Sequence, residues 1–329
     1  MSRSQSTNQA FPPIEPFHAA ELPVSDGSKL YFEQVGNPSG QPALYLHGGP
    51  GGSCGPGTRR YFDPEKYHAV LFDQRGCGRS KPLASEPDYD FSNNNTAQQI
   101  DDIESLRRHL GIERWVLVAG SWGVTLALAY AQAFPQRVKA MVLGSVTLGT
   151  RQEIDWITRD MGRIFPREWQ SFVEYLPEEQ RECSYTEDDT GDICAAYAKL
   201  LQSSDPAVHQ PAAKAWCKWE DTHVSLMPGW QPSARFQDPE LSLIFARLVT
   251  HYWSNDCFLA PNQLIQNIEK IADIPAVLIH GKWDISGPLD TAYQLHNVWP
   301  ASELCILEEA GHGGIGFGQA IRQALAKFA

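Results

Sequence analysis

Positive charge is in short supply in this sequence. Its 329 residues hold 27 lysines and arginines against 39 aspartates and glutamates, a net charge of −12, and no basic block offsets the imbalance. Such a chain is a poor match for phosphate backbones or anionic membranes, so no nucleic acid and no membrane partner is expected. Metal-ligand spacing is missing too. The seven cysteines, an odd number, lie scattered from Cys54 to Cys305 without a CxxC pair, and no His-Glu-x-x-His occurs. Thiols in this pattern predict a reducing, cytoplasmic setting rather than a disulfide framework. No metal or other cofactor is expected. The first ten residues are polar and lack the apolar stretch of a signal peptide.

What is present suits a folded enzyme-sized chain. At roughly 150 residues per domain, the length predicts two domains or one large domain carrying an insertion. Apolar residues make up 42% and charged residues 20%, ample for a buried core. Residues 115–134 carry no charge and approach membrane-spanning length. The segment Gly120-Ser121-Trp122-Gly123 interrupts them, however, and reads as a turn between two buried elements.

Short apolar runs rich in Val, Ile and Leu occur at 43–47, 68–73, 115–119, 139–144, 276–280 and 303–307. None alternates cleanly, which suits strands of a mostly parallel sheet covered on both faces. Helical patterns lie between them. Residues 96–110 place Ile100, Ile103, Leu106 and Leu110 on one face, with Thr96 and Gln99 as a candidate capping box. Residues 122–134 form a second helix, stopped by Pro135. This alternation predicts α/β architecture. Between about 151 and 264 the pattern becomes helix and loop, with Trp156, Trp169, Trp216, Trp219, Trp230 and Trp253. An α/β domain interrupted by a helical insertion accounts for both parts.

Ala119-Gly120-Ser121-Trp122-Gly123 follows a strand and opens a helix. That is the setting of a nucleophile elbow, with alanine at the usual first glycine. His47-Gly48-Gly49-Pro50-Gly51-Gly52 follows another strand. Its glycines let backbone N–H groups approach a reacting oxygen, so Gly49 and Trp122 are the candidate oxyanion donors. A phosphate loop is disfavoured, because no Gly-Lys-Ser/Thr ending follows. A serine nucleophile needs a base and an orienting acid, in the chain order Ser, acid, His for this architecture. Asp284 and His312 each lie just past a strand and fit that order. His280 falls inside a strand, and Asp290 and His296 fall in a helical stretch. Asp73 and Arg75 read as loop braces, and Cys77 as an inert packed thiol.

Taken together, His47-Gly48-Gly49-Pro50-Gly51-Gly52, Asp73-Gln74-Arg75-Gly76-Cys77-Gly78-Arg79-Ser80, Gly120-Ser121-Trp122-Gly123 and Ala310-Gly311-His312 resemble the proline iminopeptidases, serine peptidases of the α/β-hydrolase fold. The resemblance starts near Ile14 and includes Val24-Ser25-Asp26-Gly27 and Ile164-Phe165-Pro166. It implies an α/β-hydrolase core over residues 1–150 and 261–329 and a helical cap over 151–260. It also implies release of an N-terminal residue, most often proline, from small peptides or aminoacyl amides, without a metal.

The same resemblance implies carboxylates in the cap that hold the substrate's ammonium. One matches Glu220. The other falls at Val249, which is neutral, and Asp256, nearby in sequence, could substitute. Gly313-Gly314-Ile315-Gly316-Phe317 also departs from the family's acidic-polar run. A related amidohydrolase or esterase acting on a non-proline aminoacyl group therefore stays open, as does a non-catalytic binding protein. The oligomeric state is not legible.

Overall fold

The computed structural model describes residues 9–178, 181, 192–226 and 229–329. Cys183 and residues 1–8 of the polar N-terminal segment lie outside them. Eight strands form one sheet: β1 (His18–Pro23), β2 (Lys29–Gly36), β3 (Gln41–Leu46), β4 (Tyr67–Phe72), β5 (Trp115–Gly120), β6 (Val138–Gly144), β7 (Ala276–Gly281) and β8 (Ser302–Leu307). Their spatial order is β1-β2-β4-β3-β5-β6-β7-β8. Strands β4 to β8 run parallel with β3, while β1 and β2 are antiparallel.

The six apolar runs are strands β3 to β8, and the sheet is mostly parallel as expected. In β5, every residue from Trp115 to Ala119 is buried. Leu117 and Ala119 pack on one face against Ile103, Leu106 and Leu126. Val116 and Val118 pack on the other face against Ile321 and Leu325. Both faces being covered explains why the run does not alternate. The antiparallel pair β1–β2 has no such run. It forms an edge with charged, exposed positions, and sequence patterning missed it.

Helices cover the sheet on both sides. A single turn, α1 (Pro56–Arg59), precedes α2 (Thr96–His109) and α3 (Trp122–Ala133). The N-cap of α2 is Asn95, whose side chain accepts from Gln98 N at 2.9 Å, so the expected Thr96–Gln99 capping box does not form. Thr96 instead donates its hydroxyl to Cys257 O at 2.6 Å, a tertiary contact that outcompetes local capping. The uncharged stretch is divided as predicted: β5 ends at Gly120 and α3 starts at Trp122. No helix among the described residues is long and apolar enough to cross a membrane.

After β6 the chain builds α4 (Arg151–Thr158), α5 (Pro166–Glu174), α6 (Ile193–Leu201), α7 (Pro206–His223) and α8 (Pro239–Trp253). These helices share a hydrophobic cluster separate from the two sheet cores. Aromatic stacking organises it: Phe172 stacks on Tyr197 at 4.6 Å and on Trp219 at 5.4 Å. Trp122 joins this cluster through Tyr252, with ring centroids 4.6 Å apart. The turn α9 (Gln263–Gln266) leads back to β7, followed by α10 (Leu289–Val298) and α11 (Phe317–Ala326).

Candidate active site

Four loops leave the C-terminal ends of β3, β5, β7 and β8 and meet on one edge of the sheet. Open α/β sheets bind ligands at this edge. Ser121 caps β5 with φ 54° and ψ −130°, a conformation that L-residues rarely adopt. The crowding around it explains why Gly123 and Gly48 are glycines. A Cβ on Gly123 would lie 2.2 Å from Leu46 O, and one on Gly48 would lie 3.1 Å from Ser121 Cβ.

The predicted trio is brought together. Ser121 Oγ lies 2.9 Å from His312 Nε2, and His312 Nδ1 lies 2.8 Å from Asp284 Oδ2. The second Asp284 oxygen accepts Gly287 N–H at 2.9 Å. Burial pushes the Asp284 carboxyl up, but the charge and hydrogen bond of His312, then His280 and Gly287 N–H, bring it below its ordinary value. Burial would lower His312, yet the Asp284 charge and hydrogen bond, with Glu220 beyond, raise it above its ordinary value. An imidazole held in this way can take a proton from the serine hydroxyl at Nε2 while Nδ1–H stays on the carboxylate.

His280 also approaches Asp284, at 3.5 Å, but both its ring nitrogens are engaged. Nδ1 accepts Val146 N–H at 3.1 Å, and Nε2 donates to Gly287 O at 2.7 Å. His296 and Asp290 lie on α10, as expected. Gly49 and Trp122 both face the cavity above Ser121. Trp122 opens α3, so its N–H belongs to the first helical turn, which has no intrahelical acceptor.

Asp73 and Arg75 are braces, each with its own partners. Asp73 accepts Cys54 N–H at 2.7 Å and Arg79 Nε at 2.7 Å, whereas Arg75 grips Asp102 and Asp26. Cys77 is fully buried, and burial pushes its thiol well up, which keeps it inert. Gln74 holds a position that sequence reasoning did not single out. Its backbone N–H donates to His47 Nε2 at 3.0 Å, its carboxamide N–H to His47 O at 2.8 Å, and its oxygen accepts Trp122 Nε1–H at 3.0 Å.

Glu220 on α7 lines the same cavity as Ser121 and His312. Burial pushes its carboxyl up, but His223, and more distantly Arg235 and His312, bring it below its ordinary value. Glu220 Oε2 lies 3.1 Å from His223 Nε2, and His223 Nδ1 lies 2.8 Å from Ser286 Oγ. His223 and Ser286 went unnoticed in the sequence. The i,i+3 spacing of Glu220 and His223 on one helix face was the available signal. The other two carboxylate positions do not reach the cavity. Val249 is fully buried in the aromatic cluster. Asp256 pairs with Arg151 at 2.6 Å, more than half exposed.

A mostly parallel sheet with a strained serine turn and an acid–imidazole–hydroxyl chain at one edge defines an α/β hydrolase. Residues 42–319 match the family model described as alpha/beta hydrolase fold. The chain is 45% identical to a "probable proline iminopeptidase" of Streptomyces coelicolor over 97% of each chain. It is 41% identical to a proline iminopeptidase of Arabidopsis thaliana over 92% of this chain and 77% of that one. It is 39% identical to one of Neisseria gonorrhoeae over 91% of each. The chain thus belongs to the proline iminopeptidase family. Among solved structures, a proline iminopeptidase-related protein of Thermus thermophilus shares the fold, with a TM-score of 0.58 at 22% identity over 94% of this chain and 97% of that one.

Proposed function

We propose that this protein is a serine exopeptidase that releases an N-terminal residue, proline foremost, from small peptides and aminoacyl amides. The observation that carries the reading is one cavity lined by Ser121, His312 and the carboxylate of Glu220. A carboxylate beside a serine–histidine pair suits a substrate whose ammonium lies close to its first carbonyl. A charge-assisted bond to that ammonium contributes about 1.5–3 kcal/mol. Only a chain terminus offers the cation, which accounts for exopeptidase action.

Ser121 Oγ attacks the first carbonyl carbon as His312 Nε2 takes its proton. Asp284 keeps Nδ1–H oriented and stabilises the imidazolium. The oxyanion is bound by the N–H groups of Gly49 and Trp122. The scissile C–N bond then breaks, and His312 gives its proton to the leaving amine. Water, deprotonated by His312, attacks the acyl-enzyme. Its proton returns through His312 to Ser121, and the free amino acid departs.

In domain terms, residues 1–150 and 261–329 form the catalytic core and 151–260 a helical cap. The separate aromatic cluster of α4–α8 and the cap residues in the cavity support that division. Six described cysteines are free, five of them buried, which supports a reducing, cytoplasmic setting. A second reading, in which Glu220 alone grips the ammonium and non-proline aminoacyl amides are accepted, is favoured by the engagement of the cavity's other carboxylate, Glu153, with Leu148 N–H, Thr150 N–H and the Thr150 hydroxyl. The test is kcat/KM for prolyl and alanyl arylamides and their N-acetyl analogues. Free prolyl arylamide is expected to lead and acetylated substrates to be poor. Ser121→Ala is expected to lose on the order of 10⁶ in rate. Equal turnover of acetylated and free substrates would overturn the exopeptidase reading.

A further inference from the structure

Three close contacts surround His223, and only one proton count makes all of them hydrogen bonds at once. Ser286 has one hydroxyl proton, and Ser286 Oγ donates it to His223 O at 3.1 Å. The 2.8 Å contact between Ser286 Oγ and His223 Nδ1 is then made by Nδ1–H. His223 Nε2 and Glu220 Oε2, 3.1 Å apart, need one further proton between them. All three contacts hold together only when the Glu220–His223 pair is neutral as a whole. A carboxylate is far more acidic than an imidazolium, so the proton belongs on His223. His223 is almost wholly buried, whereas the Glu220 side chain keeps about a fifth of its surface open to the cavity. Among the described residues, Glu220 Oε1 takes no hydrogen bond and is left for a ligand.

We propose that His223 is a positioning residue: an imidazolium clamped between Glu220 and Ser286 that keeps the Glu220 carboxylate ionised and aimed into the cavity. The proposal rests on the reading that Glu220 receives the substrate's ammonium. It also ties the cap to the catalytic loop. Ser286 lies two residues past Asp284, and Gly287 N–H binds the Asp284 carboxylate. The groups that face Glu220 are His223, Asp221 and Cys217 on its own helix, Arg235 from the turn Ala234–Gln237, and His312. His223 is the cation in direct contact with it.

Without the His223 cation, burial raises the proton affinity of Glu220. The carboxylate is then lost at acid pH, and its grip on an ammonium goes with it. As pH rises the carboxylate re-forms and the grip returns. His223→Gln keeps a donor for Glu220 but removes the charge. Wild type and His223→Gln are compared from pH 5.5 to 8.5 on prolyl p-nitroanilide and on p-nitrophenyl acetate, which has no cation and needs only the Ser121 chain.

The expected result is a KM for the prolyl substrate raised about tenfold at pH 6 and recovering towards pH 8.5, as Glu220 binds its proton more tightly. Acetate turnover reports on folding and on the Ser121 chain in each variant, and the prolyl effect is read relative to it. Parallel changes on both substrates, or no change on either, overturn the proposal. Glu220→Gln is run alongside. If it treats both substrates alike, the ammonium reading has failed first, and the proposal falls with it. If it discriminates while His223→Gln does not, the proposal alone is overturned. Imidazole ¹⁵N shifts of substrate-free wild type at pH 7.5 give a measurement that needs no folded variant. Both His223 nitrogens are expected to carry protons, and a singly protonated ring overturns the clamp.

Discussion

Gln74 accepts the indole N–H of Trp122 at 3.0 Å while donating to His47 O at 2.8 Å. One side chain thereby joins the turn that carries Trp122 to the loop that carries Gly49. In the proposed mechanism these two donors converge on one oxygen, and a small misplacement of either weakens both. Gln74→Ala leaves a buried indole N–H and a buried carbonyl without their partner. Each such group costs about 1–3 kcal/mol. We expect a lower Tm and a kcat reduced by about tenfold to a hundredfold with a smaller change in KM. Steady-state kinetics beside a thermal melt checks this, and an unchanged kcat would exclude the bridging role.

The raised His312 sets a pH dependence. The ring acts as a base only when neutral, so kcat/KM rises with pH through an acid limb above the ordinary histidine range and levels off beyond it. Burial opposes this shift, and Asp284 is its leading positive cause. Asp284→Asn should therefore move the limb to lower pH. It should also cut the plateau rate on the order of 10⁴, because the ring loses its tautomer control. An uncharged ester isolates the effect from titration of a substrate amine. A limb that stays in place in Asp284→Asn would rule out the pairing as its origin.

The two glycines that flank Ser121 and Trp122 differ in their need to be glycine. A Cβ on Gly123 would meet Leu46 O at 2.2 Å and His47 O at 2.9 Å, both backbone atoms that cannot swing aside. A Cβ on Gly120 would find nothing nearer than 3.9 Å. Gly123→Ala should destabilise by about 1–3 kcal/mol or more, whereas Gly120→Ala should melt close to wild type. Denaturant unfolding of the pair tests the contrast, and equal stabilities would contradict the packing.

Restoring a carboxylate at Val249 should not restore a second ammonium ligand. The side chain is fully buried among the aromatic residues of α5 to α8 and does not line the cavity. In Val249→Glu the new group is protonated and unpaired, at an expected loss on the order of 2–4 kcal/mol. Thermal melts together with the prolyl-to-alanyl arylamide ratio decide the matter. A stable variant with sharpened prolyl preference would show that this part of α8 opens to substrate.

Local pattern was enough for much of this protein. The apolar runs announced β3 to β8 because strands covered on both faces need apolar side chains at every position, whatever lies around them. Ser121, Asp284 and His312 were legible because strand ends, small residues and chain order are properties of the sequence. The edge pair β1–β2 was not, since half-exposed strands carry charges and declare themselves only by pairing. Asn95 rather than Thr96 caps α2 because a carbonyl at Cys257, 161 residues away, claims the threonine hydroxyl. The same limit hid the direction of Val249 and the clamp of Glu220, His223 and Ser286. Sequence periodicity reports which face of an element is apolar. Which side chain meets Ser286 across 63 residues, or Ser121 across 191, is decided when the helices pack over the sheet edge and each buried donor must find its acceptor.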